Sequence, residues 1–227
     1  MKNFLEYILI VFFSVVLLIA GNRLYKIWEE YHVAGDEYEK LRQYIEEPGA
    51  EKETEQNKHE TDNQEASIDF ESLKKINPDI VAWIHIEDVG IDYPIVQGTD
   101  NEHYLHYTFS GEANIAGSIF LDYRNNGFLD YKAILYGHNM RDGSMFAALK
   151  NLDISEQPVI EIYTPDHTLQ YLALSVEYVS PNDKIYEIAD INAQDGSIER
   201  FPAELILSTC SSDSTRRLVI IAERVNN

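Results

Sequence analysis

Three side-chain types in this chain can together break and remake an acyl bond: a thiol, a guanidinium and an imidazole. The thiol is the single cysteine, Cys210. A thiolate attacks carbonyl carbon readily, and a neighbouring cation or base is what lets it form at neutral pH. A lone Cys cannot staple its own chain, and its plainer reading is a small buried hydrophobe. The surroundings argue otherwise. Cys210 ends the run ELILSTC, where an apolar strand gives way to the polar stretch SSDST. A strand end beside a loop fixes the sulfur and leaves it accessible. Arg216 and Arg217 then open the run LVIIAERV. A guanidinium near a thiol favours the thiolate and stabilises a developing oxyanion. Strand parity sends the two arginines to opposite faces, so only one can share a face with Cys210.

A cysteine nucleophile needs a partner that accepts and returns a proton, and histidine titrates in the right range. The chain has seven histidines. His138, in ILYGHNM, combines a strand end, a preceding Gly and a following polar loop. His32 and His59 precede the globular region, His85 lies inside a strand and His167 in a Pro-Asp-His turn. His103 and His106 share a short helical piece, but no carboxylate or thiol ligand set accompanies them. No metal and no organic cofactor is called for.

Short apolar runs separated by turn residues must carry these groups. They begin at Val81, Ile91, Gly117, Ala133, Val159, Leu169, Glu204 and Leu218. Many short strands at close spacing mean a β-sandwich or barrel. An aromatic content of 11%, with 15 Tyr, suits half-buried strands. A short helix is expected near Phe70, Leu73 and Ile76, stopped before Pro78. Ahead of the domain, residues 4–20 are apolar apart from Glu6, which is near the lower length for a membrane-spanning helix. Leu18 before Ala20 fits a cleavage site poorly, so a retained anchor is favoured over a signal peptide. The positive charges on its two sides do not settle its orientation. Helical spacing continues through Leu24, Ile27, Trp28, Tyr31, Tyr38, Leu41 and Ile45, as a stalk or packing helix or as a loose juxtamembrane segment. Residues 48–66 read as a disordered acidic linker, most simply a tether. The expected organisation is an anchor over 1–24, a juxtamembrane helix and linker over 25–66, and a catalytic domain over 67–227. A net charge of −21 argues against binding nucleic acid.

Taken together, these runs resemble a known family. LSTC with a following strand-opening Arg resembles the sortase signature, and YGHNM resembles the sortase histidine motif. The runs DYPIVQGTDNEHYLHYTFSGE and AGSIFLDYRNN resemble class B sortases in particular. The resemblance implies a mainly-β fold, an eight-stranded sortase-type barrel with N-terminal and short connecting helices behind a transmembrane helix. It implies a catalytic set of Cys210, His138 and Arg217, the last because the family Arg directly precedes the apolar strand core. By the same carry-over, Asn101, Leu105, Tyr136, Ser208 and Thr209 line the substrate groove. The stretches 180–202 and 211–216 are short for the class, and the first helps to select substrate.

The expected function is a membrane-anchored cysteine transpeptidase with its catalytic domain outside the cell. It would cleave a C-terminal sorting motif of a surface protein and pass the acyl group to an amine of a peptidoglycan precursor. A pilus-assembling enzyme that uses a pilin lysine, and a simple cysteine peptidase, are the alternatives within that chemistry. A tethered β-domain with an incidental Cys is the alternative outside it.

Overall fold

The computed structural model describes residues 2–46, 67–188, 202–210 and 215–225. The expected linker over 48–66 lies outside the described residues, as does most of both stretches that are short for the class.

The first element, α1 (Lys2–Leu41), is a single helix. It contains no proline, and Pro48 follows its end. From Phe4 to Trp28 its large apolar side chains stand exposed. Ala34, Tyr38 and Leu41 are then buried at helical spacing, so the last turns dock on the rest of the fold. A 3₁₀ turn leads into β1 (Ile45–Glu46), which pairs antiparallel with β2 (Ser67–Ile68). Glu46 stands opposite Ser67, so the intervening segment leaves and returns at one place. The stretch expected as a tether therefore does not set the distance between the helix and the domain. Helix α2 (Phe70–Ile76) follows, capped by Asp69, whose carboxylate accepts the Ser72 N–H at 3.0 Å.

Eight strands then close a barrel: β3 (Ile80–Ile86), β4 (Ile91–Val96), β5 (Ile119–Leu121), β6 (Lys132–Tyr136), β7 (Val159–Tyr163), β8 (Thr168–Val179), β9 (Glu204–Cys210) and β10 (Arg217–Arg224). Every apolar run read as a strand is one of these. The order around the barrel is β10-β8-β7-β3-β4-β5-β6-β9, and β9 pairs back onto β10. All pairs are antiparallel except β4–β5 and β6–β9. Closure removes the sheet edges.

Alternation along the strands builds two apolar layers. Leu135, Leu205, Leu207, Leu218 and Ile220 join Trp83, Phe120 and Tyr171 in the main core. Ile134, Ile206 and Val219 point the other way and form a second cluster with Tyr136, Tyr186 and Ile221. β6, β9 and β10 are therefore apolar on both faces. The outer layer is the floor on which residues 180–188 pack, and the candidate site opens at its edge.

Candidate active site

Cys210 is the last residue of β9, and Arg217 is the first of β10. The two pair directly across the antiparallel ladder. Residues so opposed project from the same face. Thr209 opposes Leu218, which leaves Arg216 outside the ladder and exposed. Of the two candidate arginines, the register gives Arg217 to Cys210.

The histidine arrives on the other neighbour of β9. Strand β6 runs parallel to β9, with Tyr136 paired to Ser208, and the Gly137 N–H bonds onward to the Ser208 carbonyl at 3.2 Å. His138 and Cys210 each lie two residues beyond that pair, so they leave the sheet at the same end. Gly137 is required there. A Cβ at that position would sit 2.5 Å from Ile119 Cδ1 and 2.8 Å from the Phe146 ring. The loop after His138 folds back on itself. Asn139 bridges to Met145, and the Phe146 N–H bonds to the His138 carbonyl at 3.0 Å.

The imidazole is fixed by the backbone. His138 Nε2 lies 2.7 Å from the Leu105 carbonyl oxygen. A carbonyl only accepts, so Nε2 carries a hydrogen and Nδ1 is the nitrogen left to exchange protons. Leu105 was expected to line the groove. It does, and its carbonyl also orients the histidine.

Asn101, Leu105, Tyr136, His138, Ser208, Thr209 and Arg217 all line one groove of about 560 Å³. Every site residue expected from the sequence is thus in one place: seven on the groove wall and Cys210 next to Thr209 along β9. Sequence reasoning missed Glu102, Phe120, Arg124, Pro181 and Tyr186, which share the lining. Tyr186 stacks on Tyr136 with ring centroids 6.2 Å apart, and its hydroxyl is 2.9 Å from that of Ser208.

The missed residue of most consequence is Asp122, fully buried beneath the groove. One carboxylate organises three groove side chains. It accepts from Arg124 Nε at 2.8 Å and Nη2 at 2.7 Å, from the Tyr136 hydroxyl at 2.9 Å and from Asn101 Nδ2 at 3.1 Å. Burial alone would push this carboxyl up. The Arg124 hydrogen bonds and charge and the Tyr136 hydroxyl outweigh it, and Asp122 sits below the usual carboxylate range. The Tyr136 phenol is pushed up, by burial first and then by Asp122, and stays a donor. A signal was present in the sequence, since Asp122 and Arg124 lie in AGSIFLDYRNN at the exit of a strand.

His103 is exposed and stacks on Tyr107 with centroids 4.5 Å apart. Among the described residues no group of three or more His, Cys, Asp or Glu could hold a metal ion. α1 is long and apolar enough to cross a membrane.

The comparisons with known proteins agree with this geometry. The Sortase domain family model matches residues 84–225. Sortase B of Staphylococcus aureus is 30% identical over 250 aligned positions, covering 98% of this chain and 97% of that protein. Sortase B of Listeria monocytogenes is 54% identical over 89 residues, 39% of this chain and 36% of that protein. Among solved structures, sortase B from Bacillus anthracis in complex with AAEK1 is 28% identical with a TM-score of 0.65, covering 88% of this chain and 100% of that one. The Staphylococcus aureus sortase B–substrate complex is 32% identical with a TM-score of 0.59, covering 69% and 84%. The chain belongs to the sortase family of cysteine transpeptidases, and within it to class B.

Proposed function

We propose that the chain is a membrane-anchored sortase. It cleaves a C-terminal sorting motif of a surface protein through a Cys210 thioester and transfers the acyl group to an amine of a peptidoglycan precursor. The observation that carries this reading is the convergence on the end of β9: Arg217 opposite Cys210, and His138 at the end of the parallel neighbour. Two structures of one relative bear on substrate and acceptor. Sortase B of Staphylococcus aureus has been solved in a substrate complex and with triglycine, a peptide that carries a free amine.

The sorting peptide lies along the groove over Asn101, Leu105, Tyr136, Ser208 and Thr209. The Cys210 thiolate adds to the scissile carbonyl carbon, and the electron pair of the C=O bond moves onto oxygen. The Arg217 guanidinium stabilises that oxyanion. The C–N bond then breaks, and the imidazolium of His138 gives its Nδ1 proton to the leaving amine. A thioester remains. The acceptor amine adds to it, loses its proton to His138, and expels the thiolate as a new amide forms. The pattern is ping-pong covalent catalysis. His138 ends each cycle in the protonation state in which it began.

The catalytic domain lies outside the cell, with the apolar part of α1 in the bilayer. Its exposed side chains from Phe4 to Trp28 support that placement.

The test uses the full chain, wild type and Cys210→Ala, with a sorting-motif peptide library and an added amine. New amide product from the wild type alone is the expected result. Exchange that persists in Cys210→Ala overturns the thioester. Free acid as the sole product, at every amine concentration, makes the protein a peptidase instead.

A further inference from the structure

We propose that Tyr38, on the docked end of α1, is a positioning residue for His138 and holds the imidazole by two separate routes that meet there. The inference rests on the reading of His138 as the proton-transfer group.

The first route reaches the imidazole ring. The Tyr38 hydroxyl donates to the Gly117 carbonyl at 2.5 Å and lies 3.3 Å from Ser118 Oγ. Burial pushes this phenol up, so it remains a donor. The Ser118 N–H bonds to the Tyr104 carbonyl at 2.9 Å, and Ser118 Oγ to the Tyr107 carbonyl at 2.9 Å. Both bonds grip the short turn whose middle carbonyl, that of Leu105, accepts from His138 Nε2. Gly117 closes the grip by direct contact. Its φ is +55°, and a Cβ there would fall 2.5 Å from the Tyr104 carbonyl oxygen and 2.9 Å from that of Leu105. No side chain fits between the segment Tyr38 holds and the carbonyl that orients His138.

The second route reaches the His138 backbone. The Tyr38 ring meets Tyr93 edge to face, with centroids 5.2 Å apart. The Tyr93 hydroxyl accepts the Met145 N–H at 3.1 Å. Met145 has a φ of 56°, a conformation that a non-glycine side chain adopts only when its surroundings impose it. Met145 bridges to Asn139, and its successor Phe146 bonds to the His138 carbonyl. The strained residue that shapes the histidine loop is thus held in place by a tyrosine against which Tyr38 packs.

Nothing in either route touches Asn101, Tyr136 or Ser208, so their loss should spare peptide binding. Reactions at an oriented group fall steeply with small displacements. Tyr38→Phe keeps the ring contact and breaks the first route. Tyr93→Phe keeps the ring contact and removes the acceptor of the second. Tyr38→Ala weakens both.

The experiment measures amide exchange by the full chain in detergent micelles. The native Cys210 thiol is titrated in the same samples, so that kcat is expressed per folded, reactive site. Tyr38→Phe and Tyr93→Phe are each expected to lower kcat per thiol by about tenfold, and Tyr38→Ala by more, with KM within about twofold of wild type. A merely structural role lowers the thiol count and leaves kcat per thiol intact. The proposal is overturned if both Phe variants keep wild-type kcat per thiol, or if their loss is in KM alone. A wild-type chain that exchanges no amide overturns the sortase reading and this one with it. An active wild type with unaffected variants overturns this one alone.

Discussion

Arg217 stands opposite Cys210 at the mouth of the β9–β10 hairpin. One residue earlier, Arg216 has left the ladder and is exposed. Two adjacent, chemically identical side chains are thereby given different surroundings by register alone. Arg217→Ala is expected to lower kcat/KM by on the order of 10²-fold or more, the scale for removing an oxyanion donor. Arg216→Ala should stay within about threefold of wild type on that reading. Equal losses in single-turnover acylation by the two variants would contradict the assignment.

Asp122 sits under the groove and is expected to act on binding. Asp122→Asn keeps the shape but removes the charge that holds Arg124, and it disturbs the partners of Tyr136 and Asn101. The KM for peptide should rise several-fold while kcat changes little. Stability should fall by about 1–3 kcal/mol, the cost of leaving buried polar groups imperfectly paired. Denaturant titration and initial rates on the same preparation check both. A loss confined to kcat would show that the carboxylate works on the chemistry instead.

Gly137→Ala places a methyl group against Ile119 and Phe146. Over-packing of this kind costs about 1–3 kcal/mol. Here the strain falls on the residue before His138, so kcat should fall more than the melting temperature suggests. A variant of ordinary activity and lowered melting point would mean that the loop absorbs the methyl group without moving the imidazole.

A pH signature is expected away from the groove. His85 Nδ1 lies 3.4 Å from Asp92 Oδ1, and the Arg42 and Trp83 nitrogens bond to the same carboxylate. The Asp92 hydrogen bond raises His85 above its ordinary value, against the opposing effect of burial. A raised histidine contributes stability below its unfolded pKa of about 6.5 and loses it as pH rises through the folded value. Asp92 is held below the carboxylate range, since His85, Trp83 and Arg42 outweigh its burial, so it stays ionised through that window. The stability gap between wild type and His85→Gln should therefore be widest near pH 5–6 and vanish above about pH 8. His85 is partly solvent-screened, which limits the gap to about 0.2–1 kcal/mol. Chemical denaturation at the two pH values measures it, and a gap that grows with pH would reverse the sign argued here.

The eight barrel strands were legible because each is a short apolar run bounded by turn residues. Cys210, His138 and the arginine pair were legible because each sits where such a run ends. The pairing that makes them a site was not. The parallel register of β6 on β9 joins Tyr136 to Ser208, far apart in the chain, and local pattern carries no information on which distant strands meet. The β1–β2 pair escaped notice because two-residue strands have no periodicity to detect. Asp122 escaped because a buried carboxylate shows its purpose only through its partners. Leu105 was placed in the groove for its side chain, and nothing in a sequence marks a carbonyl as an acceptor.

Helix α1 has a mechanical consequence for a chain held in a bilayer by its apolar end. Leu24 is exposed and Ala34 is buried against the barrel, with unbroken helix between them. Ten residues of helix are a strut of about 15 Å, not a slack cord. A strut sets the height of the groove above the lipid and also its compass bearing, since each residue of length turns the barrel by about 100°. Substrates would be sorted partly by altitude, because a cleavage segment must be presented at the level the strut dictates.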